Sequence, residues 1–270
     1  MILIKVDFGS ETGFGHLKRL EAFLEWKMKN AKFKIDKKVF IVCKECEQKY
    51  TDIPLIKIKN NNEFFEVVKR LRPKEVIVDN YEFSIEDEKK FKEFFPKIKL
   101  ICFDDFEKIH FCDEVVSLNP CTKHKRIKLN LKKYYFKRKG IMISIGAVDG
   151  KGIIFKILRY LKGDIHIYTT SKNKQLKKLK KIAKLKRAKL HIDENTKKAL
   201  FKHKFAIISA STLSIEAMEA KIPFIAIKTV KNQEILAKCL KRKRIKVLEI
   251  KDIYKLRKLN DLRKRWNIRC

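Results

Sequence analysis

Short apolar runs recur along this chain, and segments with helical patterning separate most of them. Strands are expected at residues 2–7, 38–43, 75–79, 98–103 and 113–117, with helices near 15–29, 62–71 and 84–95. After a basic, irregular stretch from Cys121 to Lys139 the pattern restarts, with strands near 140–145, 164–169, 204–209, 223–227 and 246–250. Such alternation builds mostly parallel sheets, because a parallel partner is reached only through a crossover, usually a helix. The expected fold is α/β, with two Rossmann-like domains, residues 1–137 and 138–270, and a cleft between them lined by loops at the strands' carboxyl ends. The length of 270 residues suits two such units better than one.

Several classes are set aside by composition. No stretch reaches the roughly 18 apolar residues of a membrane span, and the amino terminus lacks the charged-then-apolar layout of a signal peptide, so a cytoplasmic protein is expected. Seven cysteines, mostly in apolar surroundings, suit reduced thiols better than a secreted disulfide framework. Cys43-Lys44-Glu45-Cys46 is read as one buried and one exposed thiol; a zinc site would need a second ligand pair, and Cys102, His110, Cys112 and Cys121 do not repeat the spacing. A redox pair is the other reading the strand-to-helix setting allows.

The net charge of +35 is unevenly spread: residues 1–137 carry +8 and residues 138–270 carry +27. Much of the excess lies in residues 172–184, where Leu176, Leu179, Ile182 and Ala183 form one helical face and lysines cover the rest. Aromatics are not interleaved with these lysines as stacking platforms, so specific nucleic-acid binding is not expected, only electrostatic attraction to polyanions.

Chemistry is first suggested at residues 2–19. An apolar strand enters Asp7-Phe8-Gly9-Ser10-Glu11-Thr12-Gly13-Phe14-Gly15-His16, placing three of the chain's eight glycines within seven positions. The spacing matches neither the dinucleotide fingerprint nor the P-loop. His16, in the first turn of the following helix, can reach whatever occupies the loop mouth, and its ordinary pKa of about 6.5 lets it accept a proton near neutrality. Other strand ends are equally polar: Asp79-Asn80-Tyr81, Asp104-Asp105, and His110-Phe111-Cys112-Asp113. In the second half, Ser209-Ala210-Ser211-Thr212 opens a helix carrying Glu216, and Asn232-Gln233-Glu234 opens the next. Amides and hydroxyls at those two helix starts suit a diphosphate, although Ser211, Thr212 and Asn232 also read as ordinary caps.

Taken together, Gly-x-Gly-His-x-x-Arg, Asp-x-Tyr, Phe-Asp-Asp, His-x-Cys-Asp, Ser-Ala-Ser-Thr-x-x-x-Glu and Asn-Gln-Glu resemble the PseG family, UDP-sugar hydrolases of pseudaminic acid biosynthesis. The resemblance spans roughly Met1 to Ile250. It implies a glycosyltransferase-B-like fold similar to that of MurG, with UDP held mainly by the second domain. His16 falls on the family's proposed general base, and Tyr81 and Asn232 fall near the sugar or reacting centre, completing the implied catalytic set. Gly13, Gly15, Arg19, Gly146, Asp149, Ser211, Thr212, Glu216 and Gln233 fall on positions implied to contact substrate, with Glu216 holding the ribose. Departures are Asn80 for a histidine, Ala147 for a glycine, Val148 for Ser/Thr, and a shortened segment from Ile127 to Phe136.

The implied substrate is UDP-2,4-diacetamido-2,4,6-trideoxy-β-L-altropyranose or a close UDP-amino sugar, cleaved by a monomer without cofactor or metal. A diphosphate leaves without protonation, so one base and an anion cradle suffice for inverting attack of water. Should His16 only pack the loop, the base falls to Asp7, Asp79 or Asp104. A glycosyltransferase using the same UDP site, and a non-catalytic polyanion-binding protein, are the alternatives.

Overall fold

The computed structural model describes residues 1–9, 12, 14–30, 38–129 and 131–258, the side chain of Asn30 excepted. Two compact units, Met1–Asn130 and Leu131–Cys270, divide the chain a few residues before the expected boundary.

The first unit runs β1 (Ile2–Val6), α1 (Gly15–Asn30), β2 (Val39–Cys43), β3 (Leu55–Lys57), α2 (Asn61–Leu71), β4 (Glu75–Asp79), α3 (Ile85–Phe94), β5 (Lys99–Phe103), β6 (Glu114–Ser117) and β7 (Lys125–Arg126). Its sheet has the order β3-β2-β1-β4-β5-β6-β7, with every pairing parallel. The short strands β3 and β7 escape sequence reading because two or three residues establish no periodicity.

Local chemistry sets the helices. Leu17, Leu20 and Phe23 bury one stripe of α1. Asn60 caps α2 by accepting the Glu63 amide at 3.0 Å, and Arg72 closes it in the left-handed conformation at φ 46°. A capping box opens α3: Ser84 Oγ accepts the Asp87 amide at 3.1 Å, and Asp87 accepts the Ser84 amide at 2.9 Å. Phe64, Phe65, Val68, Val76, Phe91 and Leu100 are among the side chains of the resulting core.

The second unit runs β8 (Ile141–Ser144), α4 (Ile153–Leu158), β9 (Ile165–Thr169), α5 (Leu176–Leu185), β10 (Lys189–Ile192), α6 (Thr196–Leu200), β11 (Phe205–Ser209), α7 (Thr212–Glu219), β12 (Phe224–Lys228), α8 (Glu234–Arg242) and β13 (Val247–Glu249). Its parallel sheet has the order β10-β9-β8-β11-β12-β13, the same Rossmann winding as the first. The lysine-rich segment folds as α5, burying Leu179 and Ala183. Among the described residues no helix is long and apolar enough to cross a membrane.

Both sheets reverse strand order beside their first strand, between β1 and β4 and between β8 and β11. Ligands of such sheets bind outside the strand ends at this reversal. The loops after β1 and β4, and after β8 and β11, are where chemistry belongs.

Candidate active site

Each end of the first reversal contributes one residue. His16 is the second residue of α1, following the glycine loop after β1, and Asp79 is the last residue of β4, in register with Val6. Their side chains meet, His16 Nδ1 lying 2.8 Å from Asp79 Oδ1. A carboxylate oxygen can only accept here, so Nδ1 carries a proton, and in the neutral ring the lone pair lies on Nε2. Arg19, one turn along α1, donates from Nε to Asp79 Oδ2 at 2.8 Å, and from its terminal nitrogens to Asp79 Oδ1 and Asp105 Oδ2. The 3.0 Å approach of Arg19 Nη2 to His16 Nδ1 joins two donors and carries no hydrogen bond in this tautomer.

Electrostatics fix the arrangement. Burial alone would raise the Asp79 carboxyl, but the Arg19 guanidinium and the His16 imidazole overcome it and hold the group at about 2. For Arg19, burial opposes the charge while Asp79 and Asp105 keep it protonated well above its ordinary value. Arg19 is thus buried and committed to two carboxylates, a positioning element where the resemblance implies a substrate contact. The Tyr81 ring packs edge-on against the His16 imidazole at 4.6 Å and remains 48 % exposed.

The remaining carboxylates of this face have other tasks. Asp7 Oδ1 accepts the amides of Lys44 and Glu45 at 2.6 and 3.1 Å, and Oδ2 accepts Asn80 Nδ2 at 2.6 Å. Asn80 therefore braces the loop after β2 through Asp7. Cys43 and Cys46 enclose that loop as a disulfide and both are buried, correcting the expectation of one buried and one exposed thiol. At Gly9 the Glu45 carboxylate packs close to the backbone, where a Cβ would stand 2.0 Å from Oε1 and push that side chain aside. Asp104 accepts the amides of Phe106 and Lys108 at 2.6 and 2.7 Å; despite burial, His110 and these amides hold it at about 2. Gly15 opens α1 with open space around it, and Gly13 lies outside the described residues.

In the second unit, Gly146 follows β8 with φ +78°, a backbone conformation that suits glycine. Asp149 is turned inward: its two oxygens accept the amides of Ile153 and Ile154 at 2.8 and 3.0 Å, so it caps α4. Ser211 is the residue before α7, yet its hydroxyl pairs with Ser209 Oγ at 2.8 Å and caps nothing. Thr212 begins the helix, and Glu216, one turn on, is buried with Oε1 3.6 Å from Lys197 Nζ. Asn232 is exposed in a single 3-10 turn, Lys231–Gln233; the α-helix starts only at Glu234, and no side chain caps it. Gln233 Oε1 accepts the Thr229 amide at 2.8 Å.

Sequence reading missed the partnership of Asp79 with His16, weighing Asp79 only as an alternative base. The available signal was position: an aspartate closing an apolar strand that neighbours the glycine-loop strand. Asp105 left no such signal, since its tie to Arg19 depends on how the connection after β5 returns.

No protein-family model matches the chain. It is 30% identical, over 278 aligned residues covering 90% of this chain and 96% of the relative, to UDP-2,4-diacetamido-2,4,6-trideoxy-beta-L-altropyranose hydrolase of Campylobacter jejuni subsp. jejuni serotype O:2. Among solved structures it is similar to Acinetobacter baumannii MurG, with a TM-score of 0.67, 13% identity, and 99% and 91% of the two chains covered. The spinosyn rhamnosyltransferase SpnG superposes with a TM-score of 0.69 at 10% identity, over 97% and 92% of the chains. At such identities these two structures establish the glycosyltransferase-B fold and nothing finer.

Proposed function

The chain belongs to the PseG family of UDP-sugar hydrolases, and from that membership we propose that it cleaves UDP-2,4-diacetamido-2,4,6-trideoxy-β-L-altropyranose, or a close UDP-amino sugar, to UDP and free sugar. The observation that carries the reading is the His16–Asp79 pair at the strand reversal, with Nδ1 anchored and Nε2 left to accept a proton.

In the reaction, His16 Nε2 takes a proton from water as the water oxygen bonds to the anomeric carbon. The bond from that carbon to the β-phosphate oxygen breaks, its electron pair leaving with UDP, and attack from the opposite face inverts the centre. Asp79, ionised throughout the physiological range, stabilises the imidazolium that forms and fixes the ring's orientation. Tyr81 confines the imidazole and offers its exposed ring to the sugar.

The UDP site is assigned to the second unit. The uncapped start of α7 at Ser211 and Thr212, with the left-handed turn at Gly146, supplies amides for the diphosphate, and Glu216 on the same helix holds the ribose. Asn232, exposed in the turn after β12, and Gln233 beside it are assigned to the sugar. Asp149 supports this site indirectly by fixing the start of α4. A soluble nucleotide sugar as substrate suits a cytoplasmic, monomeric enzyme.

Incubation with a panel of UDP-amino sugars tests the reading. Equimolar UDP and free sugar released without any acceptor support it. UDP release only when an acceptor is added would make the protein a transferase.

A further inference from the structure

The first unit gathers a second group of reactive side chains that hydrolysis does not use. Glu88 on α3, Cys102 on β5, and His110 and Cys112 on the connection from β5 to β6 each bring one donor atom within 4.8 Å of the others. Glu88 and Cys102 are only 3 % and 2 % exposed, and neither thiol of the group is in a disulfide. His110 Nδ1 lies 2.7 Å from Glu88 Oε1. The other oxygen of Glu88 accepts the Phe111 amide, which leaves Oε1 directed at the group. His110 Nε2 is buried without a hydrogen bond, 3.4 Å from Asp104 Oδ2.

We propose that Glu88, Cys102, His110 and Cys112 form a structural site for a thiophilic divalent cation of the zinc class, stapling the β5–β6 connection to α3. Two sulfurs, one imidazole nitrogen and one carboxylate oxygen are the donor types zinc accepts, and four is its coordination number in structural sites. Coordination through Nδ1 turns Nε2–H toward Asp104, giving this buried nitrogen a partner and the ligating histidine the outer carboxylate such ligands commonly have. Asp104 is already fixed by the Phe106 and Lys108 amides, so it can orient the ring without moving. Without the cation, a proton between Nδ1 and Glu88 occupies the same position.

With four protein donors no coordination position is left for substrate, so the cation takes no part in the hydrolytic step. It acts on the platform beneath it. The same connection carries Asp105, which holds Arg19, which in turn holds Asp79. Spacing along the chain conceals the donor set, because Glu88 comes from a helix outside the Cys-His-Cys segment and the conspicuous Cys43-x-x-Cys46 pair is elsewhere.

The test uses the whole chain, reduced and freed of metal with a chelator, then titrated with cobalt(II) without substrate, so its outcome is independent of the hydrolase reading. A thiolate-to-cobalt charge-transfer band with tetrahedral d–d bands is expected, saturating at one equivalent and abolished by added zinc. Cys102→Ser and Cys112→Ser should each weaken binding at least tenfold. No thiolate band in the wild-type protein overturns the proposal, as does a band unchanged in both variants, which would place the thiolates elsewhere. If the thiol variants fail to fold, Glu88→Gln decides: at least tenfold weaker cobalt binding supports the site, and unchanged binding overturns it.

Discussion

His16 and Asp79 stand 63 residues apart in sequence and meet at 2.8 Å because β1 and β4 are neighbours in the sheet. The contact assigns the imidazole tautomer, and Arg19, closing on Asp79 from the other side, makes the carboxylate a shared anchor. Removing the carboxylate's charge therefore disturbs both orientation and charge balance.

Asp79→Asn should lower turnover by about 10²- to 10⁴-fold, the range for a base that loses its positioning partner. It should also destabilise the first unit, by less than the roughly 3 to 5 kcal/mol of an uncompensated buried charge, because the guanidinium keeps Asp105 as its second partner. Steady-state kinetics with denaturant titration read both, and a variant with wild-type turnover would show that His16 needs no anchor.

Glu216→Ala should weaken UDP binding by about 1 to 3 kcal/mol, the usual worth of hydrogen bonds to a charged group. Calorimetry on the folded variant measures it. Unchanged affinity would remove Glu216 from the ribose site and leave it as the buried partner of Lys197.

Much of this was legible in the sequence, for physical reasons. The apolar runs that became β4 and β11 are buried on both sheet faces, so they read as continuous hydrophobic segments between polar ends. His16 was found because glycines crowd before it, and Glu216 because it follows a Ser-Thr helix start. The roles of Arg19 and Asp149 were not legible: a charged residue in a ligand-facing motif and one that braces the scaffold look alike until the buried partner is known. Asn232 was read as opening a helix because the 3-10 turn at Lys231–Gln233 runs directly into α8, and a single turn leaves no periodicity of its own.

In the second unit, His203 Nδ1–H donates to the Lys139 carbonyl at 2.8 Å, and Nε2 accepts from the Tyr168 hydroxyl at 2.9 Å. Burial, with His166 and His191 nearby, pushes the imidazole down to about 4. The folded state thus binds this proton more weakly than the unfolded chain, whose histidine titrates near 6.5. The stabilisation is complete above pH of about 6.5 and is lost as the pH falls through about 4, at about 1.4 kcal/mol per pKa unit. Denaturant midpoints measured from pH 7 to 4.5 should fall accordingly, and His203→Gln should flatten the slope. An equally steep slope in that variant would assign the acid sensitivity to other groups.

Lys5, the fourth of the five residues of β1, is fully buried, and among the described residues its Nζ has no hydrogen-bond partner. Burial lowers its pKa, partly opposed by Asp7, and its ammonium also lies 5.4 Å from the centre of the Phe64 ring. Lys5→Met keeps the packed stem and removes the desolvated charge, so it should stabilise the first unit by about 1 to 3 kcal/mol. Denaturant titration near neutral pH measures this, and a destabilised variant would show that the ammonium is paired.

The central claim is that His16, oriented by Asp79, is the base of a UDP-sugar hydrolase and does not itself hold the nucleotide. Its most direct test is turnover of the folded His16→Asn variant on UDP-2,4-diacetamido-2,4,6-trideoxy-β-L-altropyranose, with UDP affinity measured in the same preparation. Turnover should fall by about 10²- to 10⁴-fold while UDP affinity stays unchanged. A variant retaining more than roughly a tenth of wild-type turnover would contradict the claim, because a positioned base contributes at least about a hundredfold.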